Sequence, residues 1–125
     1  MGWFKQIIAL LVLGIPGIGC TQPNQVLLFI DSKSHGQLEL VNQMNRELQL
    51  SPTLNAGIDL QVIDIQGGIA PRFSALRYLI DSDGGWVVRY KPRSLPWLIC
   101  SAQQKPQQGF SIAKHDAIRR CLASG

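Results

Sequence analysis

The sequence predicts an α/β domain in which a mixed central sheet is flanked by helices, and three observations support this fold class. The first is an unbroken apolar run, Val26–Ile30, followed at once by an amphipathic segment. The second is a run rich in β-branched residues, Ile58–Ile65. The third is a further set of short apolar runs in the last third of the chain. Alternating strand and helix signals favour parallel strands joined by right-handed crossovers.

The first 19 residues resemble an export signal, with Lys5 as the positive charge and Ile7–Leu13 as the apolar core. This run is shorter than the roughly 20 apolar residues of a transmembrane helix. Gly19-Cys20 resembles the end of a bacterial lipobox, whose cysteine becomes lipidated. We therefore predict a lipoprotein-type signal peptide over residues 1–19, Cys20 as the first mature residue, a polar linker over 20–25 and one domain over 26–125. The alternative is an ordinary secreted or anchored protein.

The first strand and helix of the domain follow from the stretch LLFIDSKSHGQLELV. The unbroken run Val26–Ile30 predicts a strand covered on both faces. Ser34 and Gln37 fit a capping box, S-x-x-Q, in which each side chain bonds a backbone N–H at the helix start. The helix is predicted to end near Leu50, and its buried stripe is predicted to comprise Leu40, Val41, Met44 and Leu48.

The rest of the chain is divided by turn signals such as Gly67-Gly68 and Gly84-Gly85. Ile58–Ile65 is predicted to be the second strand. Phe73, Leu76 and Ile80 recur at helical spacing, which predicts a second helix. The later elements are predicted as a helix over Pro71–Asp81, strands over Trp86–Tyr90 and Trp97–Cys100, a short strand in the stretch FSIA, and a terminal helix over Lys114–Ala123.

Pro96 stands directly before an apolar strand in the stretch RSLPWLIC. Thioredoxin-like proteins carry a cis-proline at this point, and proline is the residue for which a cis bond costs little. A trans proline that starts an edge strand is the alternative. The whole layout resembles the thioredoxin-like periplasmic proteins of conjugative transfer systems, particularly the TrbC-type pilin assembly family. The resemblance rests on LLFIDSKSHGQLELV, LQVIDIQGG, APRFSALRYLIDSDGG and RSLPWLIC.

The resemblance implies an exported thioredoxin-like domain that helps to build the envelope-spanning conjugation machine. Redox members carry a Cys-x-x-Cys pair at the start of the first helix, where this chain has Ser34-His35-Gly36-Gln37. Thiol–disulfide exchange needs a thiolate and a resolving thiol. We therefore predict no enzymatic activity at this place. A serine hydroxyl without a base is a poor nucleophile, so Ser34 is interpreted as a helix cap.

In redox thioredoxins the groove beside the cis-proline holds an extended substrate segment. The resemblance therefore implies a groove that binds a peptide without reacting, through backbone pairing and side-chain pockets. An exposed Trp97 would serve as an anchor, and a core position is the alternative. The predicted groove is framed by Ser34, His35, Gly36, Leu95, Pro96 and Trp97.

Two cysteines remain if Cys20 is lipidated. Cys100 and Cys121 are too far apart in sequence for a redox or zinc motif, and a structural disulfide and two buried thiols both stay open. An alternative function makes them the reactive pair of a thiol–disulfide oxidoreductase or isomerase. Another alternative is a structural or surface-exclusion lipoprotein.

The formal net charge of +4 indicates a mildly basic chain. Basic residues between Arg72 and Arg93 interleave with aromatic residues, a pattern also seen in nucleic-acid binding. For an exported protein we interpret them as a solvated face or a docking surface, and no nucleic acid is expected. Neither a phosphate-binding glycine motif nor a metal-ligand spacing is present in the sequence. We predict no cofactor or metal, a periplasmic location, a membrane lipid anchor, and envelope or secretion-system proteins as partners.

Overall fold

The computed structural model describes residues 23–101 and 108–122. The predicted signal peptide, the lipidation site Cys20 and residue Ala123 lie outside the described residues. The described elements are β1 (Asn24–Ile30), α1 (His35–Leu50), α2 (Pro52–Gly57), β2 (Ile58–Asp64), β3 (Arg77–Ile80), α3 (Gly85–Tyr90), β4 (Trp97–Ser101), β5 (Gln108–Ser111) and a C-terminal 3-10 helix (His115–Cys121).

The described strands form one mixed sheet in the order β3-β2-β1-β4-β5. β1, β2 and β3 run parallel to one another, and β4 is antiparallel to both β1 and β5. Ile30 pairs with Asp64, and Asp64 pairs with Ile80. The three parallel strands therefore end side by side, and β4 begins there, with Trp97 opposite Phe29. We call this the carboxyl end of the sheet. The predicted α/β class with a mixed central sheet is confirmed.

The two faces of the sheet are covered by different elements. On the first face, α1, α2 and the 3-10 helix pack against one large apolar cluster. The predicted stripe of α1 is buried there, which confirms the helical periodicity. On the second face, α3 and the chain around Leu95 pack against a smaller buried cluster of Leu27, Phe29, Ile63 and Ile99. Both faces of β1 are thus covered, as its unbroken apolar run predicts.

The predicted helix over Pro71–Asp81 is wrong, because residues Arg77–Ile80 form strand β3. The chain before β3 is irregular and packs on the first face. The carboxamide oxygen of Asn45 accepts a hydrogen bond from the backbone N–H of Ala75 (2.9 Å). The rings of Phe73 and Tyr78 stack 5.7 Å apart. Pairing of the β3 backbone with β2 outweighs the helical spacing of the apolar residues.

The predicted strand over Trp86–Tyr90 is also wrong, because Gly85–Tyr90 forms helix α3. Valine and aromatic residues favour strands, but strand propensity depends strongly on context. Here the Asp81 carboxylate accepts hydrogen bonds from the backbone N–H groups of Trp86 (3.1 Å) and Val87 (3.0 Å), which starts a helix. The rings of Trp86 and Tyr90, four residues apart, stack at 5.8 Å on one side of that helix.

Three smaller differences concern the ends of elements. β1 begins at Asn24, so the last two residues of the predicted linker belong to the strand. Residues Pro52–Gly57, predicted only to break the first helix, form the short helix α2, capped by the Ser51 side chain. The predicted terminal helix is a 3-10 helix over His115–Cys121 in the described chain. Its apolar side is buried as predicted, through Ile118 and Cys121.

Candidate functional site

Three of the predicted groove residues, Ser34, His35 and Gly36, lie at the start of α1. Ser34 has an extended backbone (φ −79°), and its Oγ accepts a hydrogen bond from the backbone N–H of Gln37 at 3.4 Å. The backbone N–H of Ser34 donates to the carbonyl of Asp31 (3.0 Å). Ser34 therefore caps α1, as the sequence predicts. His35 and Gly36 follow as exposed residues of the first turn.

Gln37 links α1 to the loop before Pro96, a role the capping box alone does not indicate. Its Oε1 accepts a hydrogen bond from the backbone N–H of Asp31 (2.8 Å) rather than from that of Ser34. Its Nε2 donates to the carbonyl of Leu95 (3.4 Å). The predicted groove residues omit Gln37. The sequence did offer one signal for Gln37: it occupies the position that the second cysteine of a Cys-x-x-Cys pair has in redox thioredoxins.

The peptide bond between Leu95 and Pro96 is cis. The Pro96 carbonyl accepts a hydrogen bond from the backbone N–H of Ile112 (3.4 Å), which joins this loop to the chain after β5. Ser34, Leu95 and Pro96 are half-buried. The structure therefore brings the start of α1 and the cis-proline loop together at the carboxyl end of the sheet, through the side chain of Gln37.

Trp97 lies across the sheet from α1. Its half-buried side chain packs on the second face, against the same cluster as Leu95, whereas α1 covers the first face. A Cβ atom at Gly109 would lie 2.8 Å from Cε2 of Trp97, so the missing side chain on β5 makes room for the indole. Trp97 thus serves mainly in packing.

A pocket of about 490 Å³ opens next to the cis-proline loop. It lies between α3, the loop before Pro96 and the residue after β2. Leu95 belongs to both places, because its carbonyl accepts a hydrogen bond from Gln37 and the residue also lines the pocket. The lining residues are Ile65, Asp81, Gly84, Val87, Val88, Pro92, Arg93, Ser94 and Leu95. The pocket was not predicted, because it depends on contact between segments separated in sequence.

Two buried aspartates hold the carboxyl end of the sheet in place. Asp64 Oδ1 accepts hydrogen bonds from the backbone N–H groups of Ser32 (3.1 Å) and Gln66 (3.0 Å). Asp64 Oδ2 accepts one from the Tyr78 hydroxyl (2.8 Å). Burial, followed by this bond to Asp64, raises the pKa of Tyr78 above its ordinary value. The carboxylate of Asp81, the second buried aspartate, accepts the backbone N–H groups of α3 given above. Both carboxylates therefore bind donor groups of the protein itself. Within the described residues, no group of three or more His, Cys, Asp or Glu side chains is suited to hold a metal.

Cys100 and Cys121 form a disulfide with Cα atoms 5.1 Å apart. The bond joins the far end of β4 to the 3-10 helix, roughly 14 Å along the strand from Pro96 at about 3.4 Å per residue. Cys121 is only 3% exposed. The cysteine pair is thus separate from the cis-proline corner.

The basic stretch is dispersed in the fold. Arg77 pairs with Asp59 (3.1 Å), and Arg89 lies 5.3 Å from the ring centroid of Tyr90. Arg93 lines the pocket. In the part of the chain that the structure describes, no helix is long and apolar enough to cross a membrane.

No protein-family profile matches the sequence, and a comparison with curated proteins finds no match either. A search of solved structures finds the pneumococcal exposed lipoprotein thioredoxin (Etrx1) of Streptococcus pneumoniae, with a TM-score of 0.60 and 14% sequence identity. The match covers 78% of this chain and 82% of that protein. At this identity the likeness concerns the fold. The chain therefore has a thioredoxin-like α/β fold.

Proposed function

We propose that this chain is a non-enzymatic, thioredoxin-like binding component of a bacterial envelope complex, with conjugative pilus or type IV secretion assembly as its specific role. In this proposal Cys20 carries a lipid that anchors the domain at the periplasmic membrane surface. The structural likeness to an exposed lipoprotein thioredoxin supports this location, and the export-signal pattern of the first 19 residues is consistent with it.

The observation that carries the proposal is the position of Gln37. Thiol exchange at this corner would need a free thiolate at the helix start. Instead, an amide side chain spans the corner and bonds the backbone on both sides, at Asp31 and Leu95. An amide is not a nucleophile. The corner is therefore suited to holding the cis-proline loop in a fixed position rather than to reacting.

A fixed loop beside an apolar pocket suits the binding of an extended polypeptide. In residues 23–101 and 108–122, the backbone N–H groups of Ser94 and Leu95 have no hydrogen-bond partner. Both residues line the pocket. A bound strand could pair with this backbone while one of its side chains enters the pocket, which is the usual division of labour in strand addition.

Two exposed residues provide a matched test of this docking site. Val88 lines the pocket and is 72% exposed, and Leu50 is 77% exposed at the end of α1. The tagged full-length protein would be captured from envelopes and its partners identified by mass spectrometry. We expect secretion or pilus-assembly proteins with the wild type and with Leu50→Glu, and their loss with Val88→Glu. Equal recovery with both variants would contradict docking at the pocket.

A thiol–disulfide oxidoreductase is the second candidate, and the bonded pair Cys100–Cys121 is the observation that favours it. The burial of Cys121 weighs against it, because exchange needs an accessible sulfur. An insulin-reduction assay and a search for mixed-disulfide partners that vanish in Cys100→Ser decide between the two. We expect neither signal. A structural or surface-exclusion lipoprotein, the third alternative, predicts that no secretion-system protein is captured.

A further inference from the structure

We propose that the pocket between α3 and the cis-proline loop accepts a polypeptide segment in which a large apolar side chain is followed directly by an acidic residue. This inference names the chemistry of the partner and rests on the peptide-binding function proposed above.

The residues that line the pocket would bind the large apolar side chain of the segment. Five residues with apolar side chains line the pocket: Ile65, Val87, Val88, Pro92 and Leu95. Its volume of about 490 Å³ exceeds what one aliphatic side chain fills. The volume lies in the range of roughly 300–1,000 Å³ found for ligand sites. A large side chain, together with part of the backbone that carries it, fits this space.

Arg93 is the residue that would bind the acidic side chain of the segment. This exposed residue lines the pocket, and in the described ranges its guanidinium makes no ion pair. Asp81 also lines the pocket, but both of its carboxylate oxygens bind backbone N–H groups of α3. Asp81 is therefore turned towards the helix and leaves the charge of Arg93 available to a ligand carboxylate.

The charged residues of α3 and the loop after it are unevenly distributed along the chain. Arg89 and Lys91 are exposed at the end of α3, and Arg93 follows them. Asp83 is exposed before the start of the same helix, and its Oδ1 accepts the backbone N–H of Gly85 (2.9 Å). Arg93, the basic residue in the pocket lining, directly precedes Ser94 and Leu95, whose free N–H groups would pair with a bound strand. An acidic residue directly after the inserted side chain would then form an ion pair with Arg93.

Fluorescence anisotropy with labelled, end-blocked hexapeptides tests this inference on the full-length protein. The peptides are Gly-Ser-Phe-Asp-Ser-Gly and three matched forms: Asn in place of Asp, Lys in place of Asp, and Ala in place of Phe. We expect the Asp peptide to bind roughly fivefold more tightly than the Asn peptide, as for an exposed ion pair. The Ala peptide should bind more weakly still. Arg93→Gln should abolish the preference for Asp, and Arg93→Glu should shift it to the Lys peptide.

Arg46→Glu is the matched control, because Arg46 is exposed on α1 away from the pocket and the substitution changes the net charge equally. Equal binding of the Asp and Asn peptides would overturn the inference. An identical effect of Arg46→Glu and Arg93→Glu would overturn it as well, since only the overall charge would then matter. Absence of binding by every peptide would also overturn it. In that case the envelope capture with Val88→Glu would still report separately on the proposed docking function.

Discussion

Two strand-to-helix junctions of this molecule carry the same three residues, Ile-Asp-Ser, but different groups cap the helices that follow. After β1, the carboxylate of Asp31 accepts a hydrogen bond from the backbone N–H of Lys33 (2.9 Å), and the Ser34 side chain caps α1. After β3, Asp81 reaches forward to two N–H groups of α3, and the cap position is Gly84 with φ 75°. Identical residues at the same end of the sheet therefore make different hydrogen bonds.

The difference follows from how much each helix buries. α1 has 16 residues and buries a stripe of four side chains on the first face. α3 has 6 residues, none of them fully buried. Packing holds the first helix, whereas the second depends on the carboxylate of Asp81. Asp64 lies between the junctions and binds both: its side chain accepts the N–H of Ser32, and its carbonyl accepts the N–H of Asp81 (2.8 Å).

Removing the two aspartates should show this difference most strongly. Asp81 is 6% exposed, so Asp81→Ala leaves two helix N–H groups without their acceptor in a poorly hydrated place. We expect a loss of about 3 kcal/mol in the free energy of unfolding, measured by urea denaturation. Asp31→Ala removes one bond at a half-buried turn and should cost about 1 kcal/mol or less. Equal losses would mean that the two turns are equivalent.

Exchanging the cap residues should have a smaller effect with the same ranking, because the junction after β3 is again the more sensitive one. Gly84 has positive φ, so Gly84→Ala places a Cβ in the left-handed region and should cost about 1–2 kcal/mol. Ser34→Gly retains a tolerated cap residue and should cost only about 0.3 kcal/mol. Urea denaturation of the two variants gives both values. A larger loss for Ser34→Gly would contradict the assignment of the two caps.

Tyr78→Phe removes the hydrogen bond that the Tyr78 hydroxyl donates to Asp64, the residue that binds both junctions. At neutral pH the lost hydrogen bond should cost about 1 kcal/mol. Because burial and Asp64 raise the pKa of Tyr78 in the folded chain, its stabilising contribution is complete below the ordinary pKa of about 10. That contribution is lost as the pH rises from there towards the raised pKa. Denaturation at increasing pH should therefore show wild type losing stability faster than Tyr78→Phe above about pH 10. Parallel curves would contradict the raised pKa.

The smallest effect on stability is expected from the exposed residues of the two helices. Val88→Glu on α3 and Leu50→Glu on α1 should each change the free energy of unfolding by less than about 0.5 kcal/mol. Thermal denaturation followed by circular dichroism measures both. A large loss in Val88→Glu would mean that its failure to capture partners reflects unfolding rather than a blocked pocket.

Local patterns predicted the first junction because burial and local signals agree there. The five apolar residues of β1, the cap at Ser34 and the buried stripe of α1 all follow from spacing. Between Pro71 and Tyr90 the local patterns were misleading. The helical spacing of Phe73, Leu76 and Ile80 lies across a loop and strand β3, and the strand-forming residues Trp86–Tyr90 form α3. Pairing with β2 and the Asp81 carboxylate overrule both propensities.

The arrangement around the cis-proline was predicted only in part, for a related reason. The cis-proline and the cap at Ser34 follow from the resemblance and from local sequence. The bridge from Gln37 to Leu95, the packing of Trp97 on the second face and the pocket beside Leu95 depend on segments that meet only in the folded chain. A capping box specifies one local partner for Gln37, and the fold supplies others.

The sequence by itself determined the α/β class, β1, α1 and the absence of cysteines from the start of that helix, because periodicity and residue chemistry are properties of neighbours along the chain. Tertiary structure decided the nature of β3 and α3, the disulfide between Cys100 and Cys121, and the pocket lined by Arg93. Each of these depends on which backbone groups and side chains become neighbours in space when the sheet forms, and that choice is made by the packing of the whole domain.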